Sequence, residues 1–469
     1  MIADKADFID EERIFKALAA AKGMQSKSED VKRIIDKAAL SDGLTPEETA
    51  VLLNVEDPVF LEKIYHTAKY IKEQIYGKRL VFFVPLYISD YCVNNCVYCG
   101  YRRHNSFGRR KLTMEEIRDE VTVLEEMGHK RIALECGEHP KECPIEYVLE
   151  AINTIYSVKQ KKGSIRRVNV NIAAVTVEDY KRLHDAKIGT YILFQETYHR
   201  PTYSKMHPSG PKRNYDWHTC AFDRAMAGGI NDVGAGVLFG LYDYKYEVLA
   251  VLLHALHLEE AWGVGPHTIS VPRIRAANGI SLDNFPYLVS DADFKKLVAI
   301  IRLAVPYTGM ILSTREPAEL RDELISLGIS QLSAGSCTGV GGYFKDHNEN
   351  VEAQRPQFKV EDNRSLDEVI ASICKSGFIP SFCTACYREG RTGDRFMSLA
   401  KTGRIQDVCQ PNAILTCKEF LLDYASPETR EAGERAIREH LDQIGNAKVK
   451  QVTRKRLAQL EEGTRDLYF

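Results

Sequence analysis

The segment Tyr91-Cys92-Val93-Asn94-Asn95-Cys96-Val97-Tyr98-Cys99 sets three thiols in the spacing Cx3Cx2C, with an aromatic residue just before the last. Thiolate is the metal-binding form of cysteine, and a cubane of four irons is ordinarily held by four of them. Three local cysteines leave one iron open to a small-molecule chelate. The competing reading is a zinc site one ligand short of the usual four. A second group lies far along the chain, with Cys383 and Cys386 in a CxxC and Cys409 after 22 further residues. By spacing it reads as a redox pair, as a zinc site completed by Cys417, or as a second three-thiolate cluster site. One such site elsewhere in the chain tips the balance toward the last. The remaining cysteines, Cys136, Cys143, Cys220, Cys337, Cys374 and Cys417, read as inert buried thiols. A disulfide framework is not expected in a chain of 469 residues.

The elements that must position these thiols follow from hydrophobic periodicity. Residues 1–78 read as helices, and Thr45-Pro46-Glu47-Glu48 offers an N-cap, a proline at the first helical position and a capping glutamate. From Leu80 short apolar runs alternate with amphipathic stretches. The runs are Leu80–Ile88, Arg131–Cys136, Val168–Ile172, Thr190–Phe194, Asp232–Phe239, His267–Val271, Gly309–Ser313 and Gln331–Ala334. Eight strands alternating with helices predict an α/β fold, a closed (β/α)8 TIM-type barrel over residues 79–376. An open doubly wound sheet is the alternative, although neither GxGxxG nor GxxxxGK[ST] follows the first strand. After Gly377 the alternation stops, so residues 377–469 read as a C-terminal helical cap rather than a ninth unit. The first cysteine motif follows the first strand directly, where barrels carry their active sites.

Bulk properties exclude some function classes. A formal net charge of −2 gives no electrostatic case for nucleic acid or an acidic membrane. There is no apolar run long enough to span a bilayer. The charged start, MIADKADFIDEERIF, lacks a signal-peptide core. The expectation is a cytoplasmic protein with no nucleic-acid and no membrane partner.

Cx3Cx2C with its aromatic residue resembles the radical S-adenosylmethionine signature. Gly137-Glu138, after the second strand, resembles that superfamily's "GGE" segment, whose backbone and carboxylate meet the methionine amino group. Cys136 stands where a first glycine often does. Gln195-Glu196, after the fourth strand, lies where polar contacts to ribose or methionine are often found. With Tyr98 these are the candidate contacts to S-adenosylmethionine. The glycine-rich run Val233–Gly240 would bring backbone close to the adenine, or else mark tight packing. Adding CxxCx22C makes the whole chain resemble the HydG family of [FeFe]-hydrogenase maturases, radical tyrosine lyases. Phe194–Tyr203, Gly265–Ser270 and the terminal Arg465–Phe469 share in the likeness.

The resemblance implies two [4Fe–4S] clusters, one on Cys92, Cys96 and Cys99 and one on Cys383, Cys386 and Cys409, the second with an extra labile iron. It implies S-adenosylmethionine as cofactor and cleavage of L-tyrosine at Cα–Cβ to p-cresol and dehydroglycine. The latter would become CO and cyanide on the second cluster, building an Fe(CO)(CN) unit for hydrogenase maturation. A low-potential electron donor and hydrogenase maturation scaffold proteins are the implied partners. Arg315, ending the seventh strand, is the candidate for the tyrosine carboxylate, because a guanidinium fork matches it. An ordinary ion pair with Glu316 or Glu319 is the alternative. His267 is implied as a ligand of the labile iron. It opens the sixth strand at the barrel's N-terminal end, so this role would require that strand's placement to be shifted. His254 and His257 read as helix surface. Two other functions fit the spacing: a thiamine-pathway type of tyrosine lyase with a structural second metal site, and a non-catalytic iron-cluster scaffold.

Overall fold

The computed structural model describes residues 2–23, 28–277, 279–347 and 356–469. Eight parallel strands form the expected barrel: β1 (Arg79–Ser89), β2 (Arg131–Cys136), β3 (Arg167–Asn171), β4 (Tyr191–Glu196), β5 (Val233–Val237), β6 (Thr268–Ser270), β7 (Gly309–Leu312) and β8 (Gln331–Ser333). Neighbours pair in sequence order and β1 pairs with both β2 and β8, which closes the sheet. An open doubly wound sheet is thereby excluded. On β1, Leu80, Phe82, Val84, Leu86 and Ile88 are fully buried on the outward, helix-facing side. The alternate residues point inward. Burial on both faces is why parallel strands read as continuous apolar runs. The inward row of β1, Arg79, Val81, Phe83, Pro85 and Tyr87, spans about 26 Å of strand at roughly 3.3 Å per residue. It connects one mouth of the barrel to the other.

Four helices, Glu11–Ala21, Ser28–Ala38, Pro46–Leu53 and Pro58–Tyr76, precede the barrel. The capping box read at Thr45 is present, with Thr45 Oγ1 accepting from the Glu48 amide and Glu48 accepting from the Thr45 amide. No helix among the described residues is long and apolar enough to cross a membrane.

Two expectations are corrected. The alternation does not stop at Gly377: a ninth strand, β9 (Ile379–Ser381), pairs in parallel with Arg79–Val81 of β1. β1 starts below β2, whose pairing with it begins only at Val84. The protruding backbone needs hydrogen-bond partners, and β9 supplies them. Helices Ala385–Arg388, Gly393–Lys401, Gln406–Asp423, Pro427–Asp442 and Ala447–Glu461 follow. Their cysteines thereby reach the N-terminal mouth of the barrel. The second correction concerns His254 and His257, which are not surface residues. Helix Tyr244–Trp262 is buried along most of its length. His254 Nδ1 lies 2.8 Å from the Tyr198 hydroxyl and His257 Nε2 lies 3.0 Å from Asp223.

Candidate active site and a second cysteine centre

At the C-terminal mouth a cavity of about 200 Å³ opens among the strand ends. Cys92, Cys96 and Cys99 form one wall, in the loop after β1. Backbone bonds hold that loop: Val93 donates to the Glu138 carbonyl (2.8 Å), Asn95 to Ser209 (3.2 Å) and Val97 to Met206 (3.0 Å). Gly137 lets β2 come close, for a Cβ there would lie 2.3 Å from the Tyr91 carbonyl oxygen and 3.1 Å from Cys92 Cβ. Burial raises all three thiols, that of Cys99 to about 11. The Lys212 ammonium opposes that shift at each of them. Lys212 also lies in the cavity wall and donates to Glu196 Oε1 at 2.9 Å. Its place in the loop Pro208–Asn214 gave the sequence reading nothing to detect.

The other sequence candidates divide. Glu138 lines the cavity and accepts from Asn94 Nδ2. Tyr98 is buried beside Cys96, with its hydroxyl 2.8 Å from His207 Nε2. Glu196 faces the cavity from a strained backbone, with φ of 68° at a bulge where β4 shifts register against β5. Gln195 does not reach the cavity. With Phe194 and Glu196 turned inward it is turned outward, and its amide donates to Thr219 Oγ1 at 2.9 Å. The glycines of Val233–Gly240 serve packing: a Cβ on Gly234 would meet Thr268 Oγ1, and one on Gly236 the ring of Phe194.

Arg315 lies across the cavity, its guanidinium 3.4 Å from the centroid of the Phe358 ring. It makes no ion pair among the described residues. Glu316 is taken by Arg273 and Arg275 instead. Three lining residues that the sequence reading missed complete this chamber. Glu135 accepts from Asn171 Nδ2 (3.0 Å), and the Tyr87 hydroxyl donates to Gln357 Oε1 (3.0 Å), whose Nε2 is 3.8 Å from Cys99 Sγ. Ala133 and Glu135 both face inward on β2, so strand alternation was the signal for Glu135. Cys136 also lines the cavity, hydrogen-bonded to Cys143, and is not a bystander in the core.

At the opposite mouth a smaller cavity, about 60 Å³, is lined by Cys383, Cys386 and Cys409 together with Arg79, Arg131, Asp232, His267 and Arg391. His267 needs no shift of strand to arrive there. It directly precedes β6 at the N-terminal end, as the sequence reading placed it, and the cysteines come to it. Its Nδ1 is 3.0 Å from Asp232 Oδ1 but misaligned, so neither atom completes a hydrogen bond. Arg131 Nε, Thr384 Oγ1 and Arg391 Nε are also buried without partners. The Cys386 thiol raises itself and lowers Cys409 by sharing a hydrogen bond, and Arg79 and Arg391 further favour the Cys409 thiolate. Cys417 is elsewhere, buried against Cys374, so it does not complete a four-cysteine site.

Among the described residues no three His, Cys, Asp or Glu side chains converge tightly enough for a single metal ion. Three thiols on one wall, a glycine that admits close backbone and a nearby cation suit a cubane with a free corner at the first site. Three thiols facing a histidine among orphaned polar groups suit a cluster with additional metal at the second.

Comparison with known proteins agrees with this layout. Residues 86–255 match the Radical SAM superfamily and residues 270–379 match the Biotin and Thiamin Synthesis associated domain. The chain is 62% identical to a crystal structure of HydG, a maturase of the [FeFe]-hydrogenase, with a TM-score of 0.96, covering 99% of this chain and 100% of that one. It is 39% identical to HydG from Carboxydothermus hydrogenoformans, with a TM-score of 0.83, covering 96% and 99%. It is 30% identical over 355 residues to 2-iminoacetate synthase from Salmonella typhimurium, covering 75% of this chain and 89% of that protein.

Proposed function

The chain is a radical S-adenosylmethionine lyase that belongs to the HydG family, and on that premise we propose that it cleaves L-tyrosine at Cα–Cβ to p-cresol and dehydroglycine. Dehydroglycine is then converted to CO and cyanide at the second cysteine centre, where iron is taken up as cargo for an Fe(CO)(CN) unit used in [FeFe]-hydrogenase maturation. The observation that carries this reading is the placement of two separate three-thiol centres at opposite mouths of one barrel.

When bound at Cys92, Cys96 and Cys99, a [4Fe–4S] cluster supplies the electron that splits S-adenosylmethionine into methionine and a 5′-deoxyadenosyl radical. The protein positions what reacts with that radical. Glu138, Tyr98 and the Lys212–Glu196 pair flank the thiols and hold S-adenosylmethionine. Arg315 takes the tyrosine carboxylate, because its fork is not engaged by any carboxylate among the described residues. Phe83, Phe194, Ile192, Ile311 and Leu238 make most of the chamber wall apolar, which keeps water from the radical. At the far mouth Cys383, Cys386 and Cys409 would hold a second cluster, and His267 would bind the labile iron. The Asp232 carboxylate, 3.0 Å from His267 Nδ1, would help keep the ring in place by its charge. Arg79, Arg131 and Arg391 favour anionic species there, cyanide included.

Reconstituted enzyme with reductant, S-adenosylmethionine and tyrosine tests the reading. It should yield p-cresol with CO and cyanide, and C383S/C386S should lose CO while retaining p-cresol. Equal loss of both products refutes separate work by the two centres. p-Cresol with an intact glyoxylate-type fragment instead would favour a thiamine-pathway type of lyase. Absence of S-adenosylmethionine turnover would favour an iron-cluster scaffold.

A further inference from the structure

Three carboxylates face the upper cavity, and they differ in company. Glu196 is neutralised by Lys212. Glu138 stands at the Cys92 wall, held by Asn94 and by its own backbone bond to Val93. Glu135 stands apart. It lies level with Tyr87 on β1 and Asn171 on β3, in the inward row of the barrel. Its Oε2 accepts from Asn171, and among the described residues no cation and no second donor reaches it. Arg315, the cation whose charge it feels, forms no ion pair with it among the described residues. A guanidinium and a carboxyl left in one low-polarity chamber ordinarily come together, because a buried charge without a partner is costly. Here β2 and the segment after β7 hold them apart, with the cavity between.

We infer that Glu135 receives the substrate ammonium, so that Glu135 and Arg315 together read the two charged ends of an α-amino acid. This rests on the tyrosine reading above and adds to it the group that recognises nitrogen. The second half of the assignment is chemical. A hydrogen atom can be taken from the amino group only after the ammonium has lost a proton. Glu135 is placed to accept that proton: one N–H bond breaks heterolytically as a Glu135 O–H bond forms, leaving a neutral amine. Burial raises the Glu135 carboxyl to about 8 against the opposing Asn171 hydrogen bond and Arg315 charge. That suits it to proton exchange with an amine near neutral pH.

The test compares two ligands that differ only at nitrogen, tyrosine and 3-(4-hydroxyphenyl)propionate. Affinities are measured by anaerobic equilibrium dialysis on iron-loaded enzyme with S-adenosylmethionine and no reductant, so no turnover is needed. Wild type should prefer tyrosine by roughly 10-fold or more, the value of one charge-assisted hydrogen bond. E135Q keeps the shape and the Asn171 bond. It should weaken tyrosine by about the same factor and leave the propionate within about threefold. A wild-type preference preserved in E135Q, or both ligands lost together in E135Q, overturns the assignment while leaving the tyrosine reading standing. Wild type that binds neither ligand overturns both. Should E135Q fail to load iron, the wild-type ratio decides, since equal binding of the two ligands refutes a nitrogen-reading carboxylate.

Discussion

Replacing Arg315 with lysine keeps the positive charge and removes only the geometry, which makes it the sharpest probe of substrate recognition. In the structure the guanidinium sits over Phe358, 3.4 Å from the ring centroid, and among the described residues no carboxylate pairs with it. A carboxylate approaching it can accept two parallel N–H bonds. Lysine has a single charged point and would keep one of them. A hydrogen bond to a charged group contributes about 1.5–3 kcal/mol, so R315K should weaken tyrosine by roughly 10- to 150-fold at 1.4 kcal/mol per decade. R315A removes both bonds and the charge, and should cost about 10³-fold or more. The assay is the same dialysis without reductant, run with tyramine in parallel. Tyramine has the ring and the amine but no carboxylate, so its affinity should change by less than about threefold in R315K. Tyrosine bound at wild-type strength by R315K refutes the assignment. So does an equal loss for tyramine, because a general collapse of the chamber would produce it.

G137A should disturb the first thiol centre, because its new Cβ would meet the Tyr91 carbonyl at 2.3 Å, a backbone contact that cannot rotate away. Iron and sulfide analysis should show the loss of about four irons per chain, one cubane, with the second centre still loaded. D232N should loosen the orientation of His267 and lower iron affinity at the second centre by about 10- to 100-fold. It would be read as loss of the weakest-bound iron on chelator titration, with p-cresol formation unchanged. His129 is buried and neutral, its pKa lowered to about 3 by burial and then by Lys130. The unfolded chain, with histidine near 6.5, binds that proton first, so stability is full above about pH 6.5 and falls as pH drops toward 3. H129F should reduce the slope of unfolding free energy by about 1.4 kcal/mol per pH unit near pH 5, measured by urea titrations at several pH values. An unchanged slope would mean that His129 is already protonated in the fold.

Much of this protein was legible in one dimension because its signals are local. Ligand spacing within nine residues, Cys92 to Cys99 with its flanking tyrosine, names a chemistry without knowledge of the fold. The alternation of apolar runs with helical periodicity placed all eight barrel strands to within a residue or two, because parallel strands buried on both faces must be apolar throughout. Even the capping box at Thr45 was readable, since its two bonds join residues three apart.

What the tertiary structure decided depends on contacts between residues far apart in sequence. β9 was missed because Ile379-Pro380-Ser381 carries a proline, which argues against a strand, and it pairs only where β1 leaves backbone free. That pairing draws Cys383, Cys386 and Cys409 to the N-terminal mouth and so unites them with His267, whose position in sequence looked wrong for the role proposed for it. Alternation along β4 turned Glu196 rather than Gln195 into the cavity, a choice between adjacent residues that composition cannot make. Lys212 and Glu135 carried no motif. Each acquires a role only when barrel closure sets it opposite groups more than a hundred residues away, because strand pairing, unlike spacing along the chain, is a property of the whole sheet.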